Sequence, residues 1–159
     1  MDKATFLQQL DTDRSEWDSL LRQVAPESAN EPGFEGAWSL CDVLAHIAWY
    51  EREIVPVVRD HVVAGSPLWY VPVDERNAAI DQLSRPETFA GVLSDEQAVY
   101  AELLGALQTL DDPDFADASR YRDMPAEWKP WEMLASNTFE HYQQHLPALQ
   151  HWVATHRAG

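Results

Sequence analysis

The chain has 159 residues, 45% of them hydrophobic and seven of them Trp, enough apolar material for one core and a single domain over residues 1–159. Eleven Lys and Arg against 27 Asp and Glu leave a formal charge of −16, which disfavours nucleic-acid backbones and anionic membranes as partners. One cysteine, Cys41, rules out an intrachain disulfide, and the charged start MDKATFLQQLDTDR does not read as a secretion signal, so a cytoplasmic protein is expected.

From about residue 3 to 25, Phe6, Leu10, Trp17, Leu20 or Leu21 and Val24 recur at three- and four-residue spacing, which predicts a helix stopped by Pro26. Residues 26–38, with Pro32, Gly33 and Gly36, read as a loop. A second helix opens at Ser39-Leu40-Cys41-Asp42, a capping-box pattern, and should end near Ala64-Gly65 with a kink at Pro56. This most apolar stretch is broken by Asp42, His46, Glu51, Arg52, Glu53, Arg59 and Asp60, so it is no membrane span. Residues 66–83 form a long connection with Pro67, Trp69, Tyr70 and Pro72 and a short helix from Asp74. A third helix is predicted to begin at Ser84-Arg85-Pro86-Glu87, with Phe89, Leu93, Tyr100, Leu103, Leu107 and Leu110 as its seam and Asp111-Asp112-Pro113 as its end. The fourth runs from about Trp131 to Thr155. Four long helices without a strand pattern predict an all-α four-helix bundle, and the long connection permits a crossover between helices two and three.

The fourth helix reads in strict 3-4 spacing as Trp131, Leu134, Thr138, His141, His145, Ala148 and Trp152, the rhythm of a helix facing its bundle partners. His141 and His145 therefore sit on the core seam, one turn apart, where leaving polar atoms unpaired costs on the order of 1–3 kcal/mol each. A metal ion would satisfy both, and His46 on the second helix is placed to supply a third ligand. Three neutral imidazoles with open positions make a catalytic type of arrangement, and nitrogen ligands without thiolates suit Zn, Ni, Fe or Cu. His61, His151 and His156 read as helix-surface or terminal residues. Asp42, Glu96 and Asn137 are candidates to hold the second nitrogen of a ligating histidine. Cys41 reads as a small buried hydrophobe and only weakly as a nucleophile. Pro147 predicts a kink just after His145.

The stretches GAWSLCDVLAHIAWYERE and NTFEHYQQHLPAL resemble the two signature segments of the DinB-like four-helix bundles, and the ending HLPAL is also similar to the ClbS/DfsB-type branch. The resemblance spans essentially the whole chain in helix order and histidine spacing. It implies an up-down-down-up bundle, often a homodimer, with the family's metal triad falling on His46, His141 and His145. It implies a role only at the level of the superfamily, which includes thiol-dependent transferases using bacillithiol or mycothiol and a mycothiol-dependent maleylpyruvate isomerase.

Two functional expectations follow. The first is a metal-dependent enzyme, holding Zn, Ni or Fe, that uses a low-molecular-weight thiol or water against a small electrophilic or toxic molecule. No separate catalytic residue is assigned, and Trp38, Trp49, Tyr50, Trp69 and Tyr70 either line its pocket or pack the core. The second is a stress protein that binds or sequesters a small molecule or metal without turnover.

Overall fold

The computed structural model describes residues 1–84 and 88–156. Among them the protein is all-α, with α1 over Lys3–Leu21, α2 over Leu40–Asp60, α3 over Val73–Ser84, α4 over Phe89–Thr109, α5 over Asp112–Ala116, α6 over Pro130–Ser136 and α7 over Phe139–Thr155. No helix of these residues is long and apolar enough to cross a membrane.

Contacts between helices fix their directions. Lys3 Nζ donates to the carbonyls of Gln108 and Leu110, while Arg14 pairs with Glu96, so α1 and α4 run antiparallel. Arg52 reaches Asp95, and Arg59 lies in the field of Glu102 one register further on, so α2 and α4 are parallel. Gln143 meets Asp13 and Gln150 meets Glu16, which makes α7 parallel to α1. The winding is therefore up-down-down-up, with α1, α2, α4 and α7 as the four long helices and α3 riding in the crossover against α2.

Apolar side chains from all four fill the centre. Phe6, Leu10 and Trp17 come from α1, Leu44, Ile47 and Val58 from α2, Leu103 and Leu107 from α4, and Leu149 from α7, each essentially inaccessible to water. Burying such side chains contributes roughly 1.5–3 kcal/mol apiece, and this packing, more than helix propensity, holds the helices together. Charge is also buried at the centre. Arg14 holds Glu96 through both nitrogens of its fork and lies 4.1 Å over the Tyr100 ring, while Tyr142 donates to Glu51.

Several boundaries differ from expectation. The first helix stops at Leu21, ahead of Pro26, and Arg22 caps it with its N–H on the Asp18 carbonyl. The Ser39 capping box is formed as expected, but α2 ends at Asp60 because His61 adopts a left-handed conformation at φ 52°. The expected start at Ser84-Arg85-Pro86-Glu87 falls mostly on residues 85–87, outside the described residues. Ser84 closes α3, and α4 is capped by Thr88, whose side chain accepts from Gly91 N–H. Val92, Glu96 and Val99 join Leu103 and Leu107 on the buried face of α4, while Phe89, Leu93 and Tyr100 are only partly covered. Asp111 does not merely end α4 but forms a capping box with Asp114 to start α5.

The expected fourth helix is broken into α6 and α7 at Asn137-Thr138. In a continuous helix the N–H groups of these residues would bond the carbonyls of Met133 and Leu134. Here Asn137 Nδ2 takes the Met133 carbonyl at 2.7 Å and Thr138 Oγ1 takes the Leu134 carbonyl at 2.8 Å. The backbone N–H groups turn instead to Leu134 and Ala135, and Thr138 leaves helical geometry at ψ −109°. Short polar side chains that mimic a backbone partner offer this alternative to the ladder.

A candidate metal centre of three histidines

Because α2 and α7 run antiparallel, His46 faces the first turns of α7. His46 Nε2 lies 2.9 Å from His141 Nε2, and the ring centroid of His145 is 5.5 Å from that of His46 and 5.0 Å from that of His141. One ring nitrogen from each of the three lies within 4.8 Å of the others, and all three residues are buried, at 6%, 6% and 8% exposure. The break at Thr138 starts α7 afresh, so the i, i+4 pair shares a face of a helix that begins only two residues before His141.

His145 Nδ1 is engaged by both oxygens of Glu35 at 2.9 Å, which leaves Nε2 as its free nitrogen. That Nε2, together with Nδ1 of His46 and Nδ1 of His141, has no hydrogen-bond partner among the described residues. Burial, and then the charge of His145, holds His46 down to about 3, and burial with the two neighbouring rings holds His141 down to about 2. Both are neutral at any ordinary pH, the state in which imidazole binds a metal. The 2.9 Å between Nε2 of His46 and Nε2 of His141 is near the roughly 3.3 Å that separates two nitrogens on one tetrahedral ion at bonds of ~2.0–2.1 Å. The residues present fit a divalent transition metal.

Aromatic rings enclose the cluster. Trp38 lies 5.2 Å from the His46 ring, and Tyr50 lies 4.8 Å from His46 and 5.0 Å from His141. Trp69 of the long connection packs 5.5 Å from Tyr50, with Trp49 buried between α2 and that connection. Arg76 Nη1 donates to the Tyr50 hydroxyl at 3.2 Å. Trp38 and Tyr50 thus line the triad, Trp69 stands one ring away, and Tyr70 is 82% exposed.

The three residues expected to support the ligands are occupied elsewhere. Asp42 closes its capping box on Ser39, Asn137 bonds Met133 and Ser136, and Glu96 is held by Arg14. Glu35 takes that place instead, and periodicity gave no sign of it because it lies on an irregular loop. The turn around it has left-handed glycines at Gly33 (φ 105°) and Gly36 (φ 62°), positions a side chain would strain. Buried Phe34 anchors the turn against Trp152 at 5.8 Å, so Glu35 is delivered to α7. Cys41 is buried, and burial pushes its thiol up to about 11, which suits a packing residue rather than a nucleophile.

The remaining histidines stay away from the triad. His61 sits 3.2 Å from Asp114, His151 is exposed on α7, and His156 stacks on Trp152 at 3.9 Å instead of fraying. Pro56 and Pro147 are accommodated inside α2 and α7.

None of the curated proteins is significantly similar to the chain. An uncharacterised protein from Escherichia coli UTI89, known from a crystal structure, shares the fold with a TM-score of 0.79 over 97% of this chain and 94% of that one, at 16% identity. The family model of the DinB superfamily matches residues 5–148, and with the bundle and its histidine cluster in place, the chain belongs to the DinB superfamily.

Proposed function

We propose that the protein is a metal-dependent enzyme in which His46, His141 and His145 hold one divalent ion, Zn, Ni or Fe, and a small electrophilic molecule is attacked by a low-molecular-weight thiol or by water. The observation that carries this reading is the convergence of three buried imidazoles, one ring nitrogen of each within 4.8 Å of the others. Buried polar atoms are ordinarily satisfied, and each of these rings keeps one buried nitrogen without a protein partner. A bound metal would supply Lewis acidity there, lowering the pKa of a thiol or water brought to it.

The chain's own residues have separate tasks. Glu35 accepts the Nδ1 proton of His145, which fixes that ring's tautomer and orientation and makes its other nitrogen a better donor. Trp38 and Tyr50 exclude water from the flanks of His46 and His141, which keeps the site's dielectric low.

A second reading, binding or sequestration without turnover, has one observation in its favour. Glu35 is the one carboxylate hydrogen-bonded to the triad among the described residues, and His145 already engages it. The test has two stages. Protein purified without chelator and metal-loaded should carry one ion per chain, and His46→Ala, His141→Ala and His145→Ala should each lose it; wild type without stoichiometric metal would defeat both the enzyme and the site. Loaded protein should then consume bacillithiol, mycothiol or glutathione with a model electrophile faster than His46→Ala. Equal rates would favour sequestration.

A further inference from the structure

One ring away from the triad lies a cavity of about 550 Å³, bounded by the C-terminal half of α2, the connection from Val63 to Tyr70, and α6 with the segment before it. Its size falls within the roughly 300–1,000 Å³ of pockets that enclose small molecules. The walls are mainly carbon, from Ile54, Val57, Met133 and the indoles of Trp69 and Trp128. Asn137, at the break between α6 and α7, also lines it. Trp69 packs 5.5 Å from Tyr50, and Tyr50 touches His46 and His141, so the cavity and the triad share an aromatic partition.

The Trp69 wall is fixed in place. Glu53 Oε2 accepts from Ser66 N–H at 2.7 Å and from Trp69 Nε1–H at 2.8 Å. Arg76 donates to the carbonyls of Leu68 and Trp69, both at 2.9 Å, and its guanidinium lies 4.8 Å over the indole. A Cβ at Gly65 would stand 1.9 Å from Trp69 Cδ1, so the glycine lets the indole lie flat against the backbone. A wall ordered before a ligand arrives spares the entropy of ordering it on binding. At the mouth, Tyr70 is 82% and Trp128 46% exposed, large apolar surfaces that normally signal a binding site. Charge narrows the ligand: Lys129 is paired with Glu132 at 2.9 Å, Glu127 stands beside them, and the chain carries −16. That field opposes anions.

We propose that this cavity binds one ring-bearing apolar small molecule that carries no negative charge, and serves as the subsite that holds the apolar part of the substrate beside the triad. Its role as a subsite rests on the metal-centre reading, whereas its occupancy does not.

The probe is N-phenyl-1-naphthylamine, titrated by its fluorescence against the full chain, both stripped of metal and metal-loaded. Saturable one-to-one binding is expected in both forms, and the anionic analogue 1-anilinonaphthalene-8-sulfonate should bind about tenfold more weakly because of the field at the mouth. Ala64→Phe and Ser136→Phe fill the cavity from exposed lining positions and should each weaken the neutral probe by at least ~10-fold, equivalent to 1.4 kcal/mol, with unchanged circular dichroism. In a ¹⁵N–¹H spectrum the indole signals of Trp69 and Trp128, assigned by Phe substitution, should move while those of Trp17 and Trp152 in the core stay. No saturable binding, binding untouched by either filling variant, or equal affinity for the sulfonate would overturn the proposal. So would a dimer that Trp128→Glu dissociates, since a second copy would then cover the mouth. Probe binding in protein that never takes up metal would uphold the cavity and sink the metal centre together with the subsite role.

Discussion

Glu35 and His145 meet across 110 residues of chain, with Nδ1 of the imidazole 2.9 Å from each carboxylate oxygen. The carboxylate is about a third exposed, and its charge therefore contributes little to fold stability. Its effect should fall on the metal instead. Glu35→Ala is expected to weaken metal affinity by about 10–100-fold, as removal of such a partner does elsewhere, with unfolding free energy within ~0.5 kcal/mol of wild type. Competition with a chromophoric chelator reads the first quantity and urea unfolding the second. Unchanged affinity would mean that the Glu35 contact does not orient a ligand.

Loading the site should also stabilise the fold, because the donors come from α2 and α7 and scatter when the chain unfolds. At a free metal concentration 100 times Kd the gain is about 2.7 kcal/mol, or roughly 5–10 °C in Tm for a chain of this size. Differential scanning fluorimetry with Zn, Ni and Fe, before and after EDTA, measures it. His141→Ala should show no metal-dependent shift; a shift as large as that of wild type would place the ion elsewhere.

Much of this arrangement is legible in the sequence because helix faces repeat. The α7 seam puts His141 and His145 inward by spacing alone, and the Ser39-to-Asp42 capping box marks where α2 begins. What periodicity cannot show is how a polar residue is satisfied. Asp42, Asn137 and Glu96 look like partners for the histidines by position, yet each is claimed by a nearer or stronger group. Glu35 and Arg14 act through contacts 110 and 82 residues away, which no local pattern encodes. The break at Thr138 likewise depends on whether its hydroxyl or its N–H takes the Leu134 carbonyl, a competition that composition leaves open.

Arg14 offers a sharp test of the buried network. Its fork holds Glu96 while both side chains are almost fully out of water. Arg14→Met leaves the Glu96 carboxyl buried without its cation, and breaking such a pair from one side costs about 3–5 kcal/mol. Arg14→Met with Glu96→Leu should recover most of that loss, because apolar replacements of similar volume remove the unpaired group. Urea unfolding of the two variants and wild type settles it; a single variant within ~1 kcal/mol of wild type would show that the pair contributes little.

Glu51 gives the metal-free protein a distinctive response to pH. Burial, and then the charge of Glu96, raises its carboxyl from 4.5 to about 8. The folded state therefore keeps a proton that the unfolded state releases, and stability present below 4.5 is lost as pH rises towards 8. His46 and His141 act in the opposite sense. Their folded values are depressed, so the stability they contribute is present above 6.5 and is lost as pH falls towards 3. Each group carries a limiting slope of about 1.4 kcal/mol per pH unit. Two unfolded imidazoles, each half protonated at 6.5, offset the one carboxyl, so these three groups together place the stability maximum near that pH. Glu51→Gln removes the alkaline limb while leaving an oxygen to accept the Tyr142 hydroxyl. The variant should match wild type at about pH 4.5 and exceed it by up to about 4 kcal/mol at about pH 8, measured by urea unfolding of EDTA-treated protein. If the variant loses stability equally at both pH values, Glu51 is ionised in the fold and its partner is a cation, Arg14 being the one whose charge acts on it.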